Sequence, residues 1–314
     1  MLVSRWAWFV FAILVVSALA VDLGDSLTAR GREREVSLRA AATRSVLWIL
    51  LSLGFGVGVW AIYGRQAAVT YLTAYLLEKS LSVDNIFVFV LIFSYLRIPA
   101  PQQRGVLLWG VLGALGLRAL LIAAGLFALE RFHWVVYPFA VLIIFAAVRL
   151  LWGEQKQQQA VAAACSVCST WVARLIPITP QFHGRKFVVW EAGRLVATPL
   201  FVALIVIETT DIIFALDSVP AVFAITRDPF LVYTSNIFAM LGLRSLYFVL
   251  AGVVKRLRFL RAGLAVILVF VGIKLLLSGV IELPNHISLA VIAVALTVSV
   301  LASIRYPAAK SATN

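Results

Sequence analysis

The chain has 314 residues, of which 63% are hydrophobic and only 13% are charged, and its mean hydropathy is +1.02. A soluble domain carries about 25% charged residues, so this composition excludes a water-soluble protein. The net charge of +13 accompanies no nucleic-acid-binding motif, and most basic residues lie between apolar blocks. We infer that these basic residues orient the protein in the membrane and contact lipid, and we expect no nucleic-acid partner.

The apolar residues form blocks about as long as the ~20 residues that cross a hydrocarbon core. We predict an all-α membrane protein with about nine transmembrane helices in a single polytopic domain, residues 1–314. In chain order, the predicted cores are residues 6–21, 46–63, 67–96, 105–129, 134–151, 195–225, 230–254, 262–281 and 287–304.

The first block, with Arg5 before it and Ala18 and Ala20 near its end, also fits a signal peptide. The distribution of basic residues favours a retained span instead. Arg and Lys are concentrated in connections 22–45, 152–194 and 255–261 and at the C-terminus, whereas the opposite side holds Arg5, Arg65, Arg131 and Arg227. The positive-inside rule then places the N-terminus outside and the C-terminus in the cytoplasm of a bacterial inner membrane.

Two blocks, 67–96 and 195–225, are unusually long, since ~30 helical residues extend ~45 Å. Both contain acids, and the second contains Pro220, whose ring disfavours a continuous helix. Long, polar, interrupted segments are typical of transporter binding sites. We therefore predict interrupted helices at the centre of the molecule, with the break in the second block near Pro220.

The two long blocks also begin similar stretches of sequence. Glu78 and Asp84-Asn85 precede the tetrapeptide LGLR at 115–118, and Asp211 and Asp217-Ser218 precede LGLR at 241–244. We predict two three-helix repeats, about 67–151 and 195–281, separated by a cytoplasmic loop at about 152–194. Because each unit has an odd number of spans, the second would be inverted relative to the first.

The carboxylates inside these blocks are costly, at roughly 2.5–3.5 kcal/mol each at the bilayer centre. A purely structural explanation pairs them with basic residues in the spans, and we name Lys79, Arg118 and Arg244 as counter-charges. Acids remain in surplus, which favours a functional role. The predicted site comprises Glu78, Asp84, Asn85, Glu208, Asp211, Asp217 and Ser218.

The ligand chemistry of this site indicates a hard cation. Blocks 67–96 and 195–225 contain no His, Cys or Met, and carboxylate, amide and hydroxyl oxygens suit Mg, Ca and Mn. Glu208 and Asp211 share a helix face, and the break near Pro220 would turn Asp217 towards them. We expect Mn²⁺ or Ca²⁺ as a transported ion, with no tightly bound cofactor.

Three segments carry a resemblance to a known family: EKSLSVDNIF at 78–87, ALDSVPAV at 215–222 and NIFAMLGLRSLYF at 236–248. They resemble the TerC/Alx family of bacterial membrane proteins. The resemblance implies manganese export or related metal-ion homeostasis and an association with tellurium resistance. It also implies that the family's intramembrane acids match Glu78, Asp84, Glu208, Asp211 and Asp217.

These observations predict a transporter that exports a hard divalent cation, Mn²⁺ by preference, with proton coupling as an open option. No nucleotide-binding motif is visible, so we expect no enzyme activity. Two alternatives stay open. A tellurium-resistance factor that exports an oxyanion would need basic groups at its centre, and a non-transporting partner would aid metal loading or insertion of other proteins.

Cys165 and Cys168 form a CxxC motif in the longest polar connection. Such a motif is half of a zinc site or a redox pair, but no second CxxC accompanies it, and the nearest histidine is His183. We predict two bystander thiols and keep a regulatory role as the alternative.

Overall fold

A computed structural model of the chain describes residues 5–28, 38–152, 154–191, 193–251, 259–281 and 283–306. The described elements are almost all helical. They are α1 Arg5–Thr28, α2 Leu38–Tyr95, α3 Ala100–Arg131, a 3₁₀ turn His133–Val135, α4 Val136–Leu150, α5 Glu154–Leu175, β1 Val188–Glu191, β2 Arg194–Ala197, α6 Pro199–Phe223, α7 Pro229–Met240, α8 Leu243–Leu250, α9 Leu260–Leu277 and α10 Asn285–Arg305.

Six helices of the described ranges are long and apolar enough to cross a membrane. They are α2, α3, α4 with its preceding 3₁₀ turn, α6, α9 and α10. The prediction of a helical multi-pass membrane protein is therefore confirmed. α1 contributes a shorter apolar stretch, Arg5–Val21.

The 58-residue α2 consists of two arms joined at Gly64, which has φ 83° and ψ 176°. These angles lie where only glycine is unstrained, so the helix changes direction there. The arms, residues 38–63 and 65–95, are each roughly 40–45 Å long at 1.5 Å per residue. They correspond to the predicted blocks 46–63 and 67–96.

The interruption predicted near Pro220 is wrong in position. α6 is continuous from Pro199 to Phe223, with Pro220 inside its last turn. Because the helix ends only three residues later, the missing N–H of Pro220 disturbs only its end. The break occurs instead in block 230–254, where α7 ends at Met240, Leu241 is its C-cap, and Gly242, with φ 80°, precedes α8.

A small hairpin precedes α6 and corrects the predicted start of that block. Strands β1 and β2 are antiparallel, with Val188 opposite Ala197, so residue 195 belongs to a strand. Pro199 forces the preceding Thr198 into extended backbone, and a proline is favoured in the first turn of a helix. The helix can therefore begin only at Pro199.

The long helices pack across the two predicted repeats. α4 packs on α9, α3 packs on α6, and α2 packs on α7 and α8. α5 lies against α6 and α2. In this way α2, α3, α4 and α6, which carry most of the acidic and basic side chains of the predicted site, meet at the centre of the fold.

Candidate functional site

The direction of each polar side chain on α6 follows from helical geometry. Each residue turns the chain by ~100°, so Asp211 and Ser218, seven residues apart, share a face. Both lie towards α3, where Arg118 contacts them. Asp217, one residue earlier than Ser218, points to α4 and contacts Arg149. The continuous helix therefore separates Asp217 from Asp211.

Arg118 is the centre of one buried group of polar side chains. Its Nη1 donates to Glu78 Oε2 at 2.8 Å and to Ser218 Oγ at 3.2 Å. Its Nη2 and Nε donate to the Asp211 carboxylate, both at 3.4 Å. Asn236 Nδ2 completes the group by donating to Glu78 Oε1 at 2.8 Å. We call these five residues the Arg118 cluster.

The charged residues of the Arg118 cluster are almost completely buried. Arg118 is 2% exposed, Glu78 is 0% exposed and Asp211 is 1% exposed. Such charges are tolerated away from water only when they are paired and hydrogen-bonded. One guanidinium here serves two carboxylates, which leaves the cluster with a formal surplus of one negative charge.

A second group lies around a cavity of about 30 Å³. We call it the Asp84–Asp217 cavity. A space of ~10–15 Å³ holds one water, so the cavity has room for a small ion or for one or two waters. Its walls are formed by Leu81, Asp84, Asn85, Arg118, Ala146, Arg149, Leu150, Phe214, Asp217, Ser218 and Leu268.

The two acids of this cavity differ in their partners. Asp217 Oδ2 accepts from Arg149 Nη2 at 2.5 Å. Asp84 Oδ1 is buried and has no hydrogen-bond partner within the described part of the chain. A buried carboxylate oxygen without a donor is unfavourable unless a cation or water satisfies it. The cavity therefore offers oxygen ligands to a cation.

Glu208 belongs to neither group. Its carboxylate lies against Gly113 of α3, where a Cβ atom would meet Glu208 Oε1 at 2.0 Å. The glycine thus makes room for the acid between α3 and α6. Among the described residues no three His, Cys, Asp or Glu side chains form a cluster fit for a metal. The seven predicted residues thus form two adjoining groups, which share Ser218, and Glu208 lies beside them.

The predicted counter-charges have different roles. Arg118 pairs with two acids, as expected. Lys79 Nζ donates to the carbonyls of Ala239 at 3.0 Å and Leu241 at 3.4 Å, at the end of α7. Positive charge there satisfies carbonyls that the broken helix leaves without N–H donors. Arg244 is buried in the first turn of α8.

Sequence reasoning missed Arg149, which is the counter-charge of Asp217. Its position at the end of an apolar block suggested a residue of the connection. In the structure it lies in the last turn of α4, and helical side chains point back towards the N-terminus of their helix. A long basic side chain at a helix end can therefore reach an acid inside the span.

Cys165 and Cys168 lie on α5 rather than in a loop, and both are buried, free thiols. Cys168 Sγ is 3.8 Å from Thr209 Oγ1 of α6. His183 instead pairs with Glu191 at 3.0 Å. The thiols pack in the apolar contact between α5 and α6.

The helices, their buried ion pairs and the acid-lined cavity define a multi-pass integral membrane protein. The family model "Integral membrane protein TerC family" matches residues 63–311. The chain belongs to the TerC family.

Several curated relatives match over nearly the whole chain. An uncharacterized membrane protein of Myxococcus xanthus is 47% identical over 96% of this chain and 92% of its own length. A Photorhabdus laumondii protein, whose name proposes a membrane-bound redox modulator, Alx, is 41% identical over 96% of this chain and 95% of its own length. An uncharacterized membrane protein of Rickettsia bellii is 36% identical, with 95% and 97% covered. No solved structure matches the chain.

Proposed function

We propose that this protein is a transporter that exports a hard divalent cation, Mn²⁺ by preference, across the bacterial inner membrane, and that it is not an enzyme. The observation that carries the proposal is the Asp84–Asp217 cavity, in which two embedded acids approach a space of ionic size. Asn85 and Ser218 add neutral oxygen atoms to its wall. The carboxylate, amide and hydroxyl oxygens of this wall, which also contains Arg118 and Arg149, suit Mn²⁺, Ca²⁺ or Mg²⁺.

We propose different roles for the predicted ligands. Asp84 and Asp217 would bind the ion, because they line the cavity. Glu78 and Asp211 are engaged by Arg118, so their first role would be to hold α2, α3 and α6 together. Glu208 would act beside the Arg118 cluster, since it lies between α3 and α6, where its charge interacts with that of Asp211.

The proposed transport mechanism is alternating access by two inverted repeats. The supporting observation is that helices of one unit pack on helices of the other. α3 of the first unit packs on α6 of the second, and α2 packs on α7 and α8. Counting both arms of α2, and taking α1 and the α7–α8 pair as one span each, gives the nine proposed spans. Such repeats commonly enclose a site at the bilayer midplane.

The proposal is tested by the variants Asp84→Asn and Asp217→Asn in liposomes. Each keeps the size of the side chain but removes the charge that attracts a divalent ion. We expect Mn²⁺ flux to fall to background in both, because an amide oxygen can coordinate a hard divalent ion but does not supply the negative charge that holds it. The protein should still be extracted in folded form, because a neutral amide is cheaper to bury than an ionised acid.

The matched control is Glu130→Gln, which removes an exposed acid at the end of α3 and should leave flux unchanged. Assays with Mn²⁺, Ca²⁺ and Mg²⁺ on the wild type identify the ion. Wild-type flux in both folded Asp variants would refute the site. Absence of flux of all three ions in the wild type would refute the transporter and favour the non-transporting membrane partner.

A further inference from the structure

One side chain of the cavity already supplies a positive charge to a proposed ligand. The Arg149 guanidinium is 2.5 Å from Asp217 Oδ2, and the side chains are 29% and 15% exposed. By contrast, the Arg118 guanidinium is enclosed with Glu78 and Asp211. Arg149 can therefore reach water by rotating its own side chain, whereas Arg118 cannot leave without opening the fold.

Two further interactions stabilise the Arg149 guanidinium near the end of α4. It lies in the last turn of α4, where the negative end of the helix dipole favours a cation. Its Cζ is also 5.9 Å from the centre of the Phe214 ring, which is within range of a cation–π contact. Because the side chain stays attached to the last turn of α4, a guanidinium released from Asp217 would still lie near this helix end.

Arg149 and a divalent ion compete for Asp217. Both are positively charged, both need the same carboxylate, and they would repel each other at the distances that a cavity of about 30 Å³ allows. Asp84 Oδ1 has no hydrogen-bond partner among the described residues, although the positive charges of Arg261 and Arg149 act on its carboxylate. Binding at Asp217 therefore disfavours the present position of Arg149 at Oδ2.

We propose that Arg149 is a tethered counter-ion that occupies Asp217 when the site is empty and is displaced when a divalent cation binds. This inference rests on the transport function proposed above. When the ion leaves, Arg149 returns to Asp217 and compensates its charge, which allows the empty carrier to reorient without an uncompensated acid in the membrane. Arg149 is thus a positioning residue that competes with the cargo.

The first test compares Mn²⁺ binding and flux in Arg149→Gln with the wild type. The apparent dissociation constant equals the intrinsic one divided by the fraction of molecules whose site is free. If Arg149 occupies Asp217 in about nine of ten empty molecules, its removal should tighten Mn²⁺ binding about tenfold. Flux should show a lower KM and a lower maximal rate, because release of the ion is no longer assisted.

Arg174→Gln is the matched control for this change. Arg174 lies in the last turn of α5 and is exposed, so its removal lowers the net charge equally without altering the cavity. Its binding and flux should equal those of the wild type. The same tightening in Arg174→Gln would show that bulk charge, rather than competition for Asp217, causes the effect.

A second test uses the unmodified protein and so does not depend on the folding of a variant. Phenylglyoxal modifies accessible guanidinium groups, and mass spectrometry reports each arginine separately. We expect saturating Mn²⁺ to raise the modification rate of Arg149 at least about threefold, because the group leaves Asp217, while Arg174 stays unchanged.

The possible outcomes separate this inference from the transport function. Wild-type flux together with unchanged Mn²⁺ affinity in folded Arg149→Gln, or with an unchanged Arg149 modification rate, would overturn the tethered counter-ion and leave the transporter standing. A wild type that neither binds nor transports Mn²⁺, Ca²⁺ or Mg²⁺ would overturn both.

Discussion

The embedded acids differ, residue by residue, in what balances their charge. Glu78 and Asp211 share the enclosed Arg118, Asp217 is held by the partly exposed Arg149, and Asp84 has a bare oxygen within the described part of the chain. Breaking an enclosed pair leaves a buried charge without compensation, whereas a partly exposed partner can turn to water. The same chemical change at different acids should therefore have different consequences.

Loss of Arg118 should be costly to folding. Arg118→Gln would leave Glu78 and Asp211 buried without their cation, and removal of one partner of a buried pair costs about 3–5 kcal/mol. We expect a lower yield of monodisperse protein in detergent and a lower thermal transition.

The control for this prediction adds Glu78→Gln to Arg118→Gln. The second change removes one of the uncompensated charges, so the double variant should regain part of the lost yield, as coupled residues do. Equal yields for Arg118→Gln and the wild type would show that Arg118 does not stabilise the fold.

The Cys165 thiol offers a test of how firmly α5 is attached. Burial, with the neighbouring Cys168, raises the pKa of Cys165 to about 11. Because the thiolate is the reactive form, maleimide labelling of the native protein should be very slow at neutral pH. Unfolding in denaturant should make labelling fast at pH 7.5.

The measurement is the mass shift of the native and denatured protein after labelling. Rapid labelling of native Cys165 at pH 7 would show that α5 separates from α6 in solution. Slow labelling would agree with the prediction that the two cysteines are bystanders.

Residue types could be predicted from the sequence better than their grouping. An ionisable residue within an apolar block can be recognised from the sequence alone. Glu78, Asp84 and the acids of α6 could therefore be predicted as site residues. Whether Asp217 faces Asp211 or α4 depends on continuity of the helix through Pro220, and a break was expected there. Arg149 was missed because its assignment depends on how a side chain at a helix end is directed.

Among the elements, glycine marks the breaks and proline does not. Gly64 separates the two arms of α2, and Gly242 separates α7 from α8, both with positive φ. Pro220 lies so near the end of α6 that little helix remains to be disturbed. Lys79 donates hydrogen bonds to carbonyls at the α7–α8 break. It directly follows Glu78 in the sequence, so its positive charge lies close to that acid.

The α7–α8 break should not tolerate a side chain at position 242. Gly242 has φ 80°, and a Cβ there would lie 2.6–2.8 Å from Cδ1, Cγ and Cβ of Trp48. A left-handed conformation costs a residue with a side chain roughly 1–2 kcal/mol, and the contact adds to that. We expect Gly242→Ala to lower the thermal transition and the yield of folded protein.

Gly54→Ala is the matched control, because Gly54 lies within the first arm of α2 and a Cβ there would meet nothing within 4 Å. Alanine also has the higher helix propensity, by about 1 kcal/mol. This variant should be as stable as the wild type or more stable. Equal behaviour of the two variants would show that the break at Gly242 is not a fixed feature of the fold.

For the whole molecule, the sequence predicted the class and most span positions, because apolar length is set by the bilayer. The hairpin before α6 was not predicted, since Leu195 and Val196 are as compatible with a strand as with a helix. The order in which helices pack was not predicted either. The adjacency of α4 and α9, for example, depends on contacts between residues more than a hundred positions apart.

Orientation in the membrane is the remaining prediction for the whole molecule. The end of α10 lies beside the start of α9, since the N–H of Phe259 donates to Ser303 Oγ, and Lys274 near the end of α9 donates to Asn285 at the start of α10. α9 and α10 are therefore antiparallel, and the end of α10 lies on the same side as the start of α9, where Arg261 is located. By the positive-inside rule that side is the cytoplasm.

A fluorescent protein that folds only in the cytoplasm should consequently fluoresce when fused after Asn314, and alkaline phosphatase fused there should be inactive. The control is a truncation after Phe132, which lies between α3 and α4 in a predicted outer connection. Phosphatase should be active there and the fluorescent protein dark. The reverse pattern at both positions would place Arg149 at the outer face. The tethered counter-ion would then compete with the cargo at the side of release instead of the side of loading.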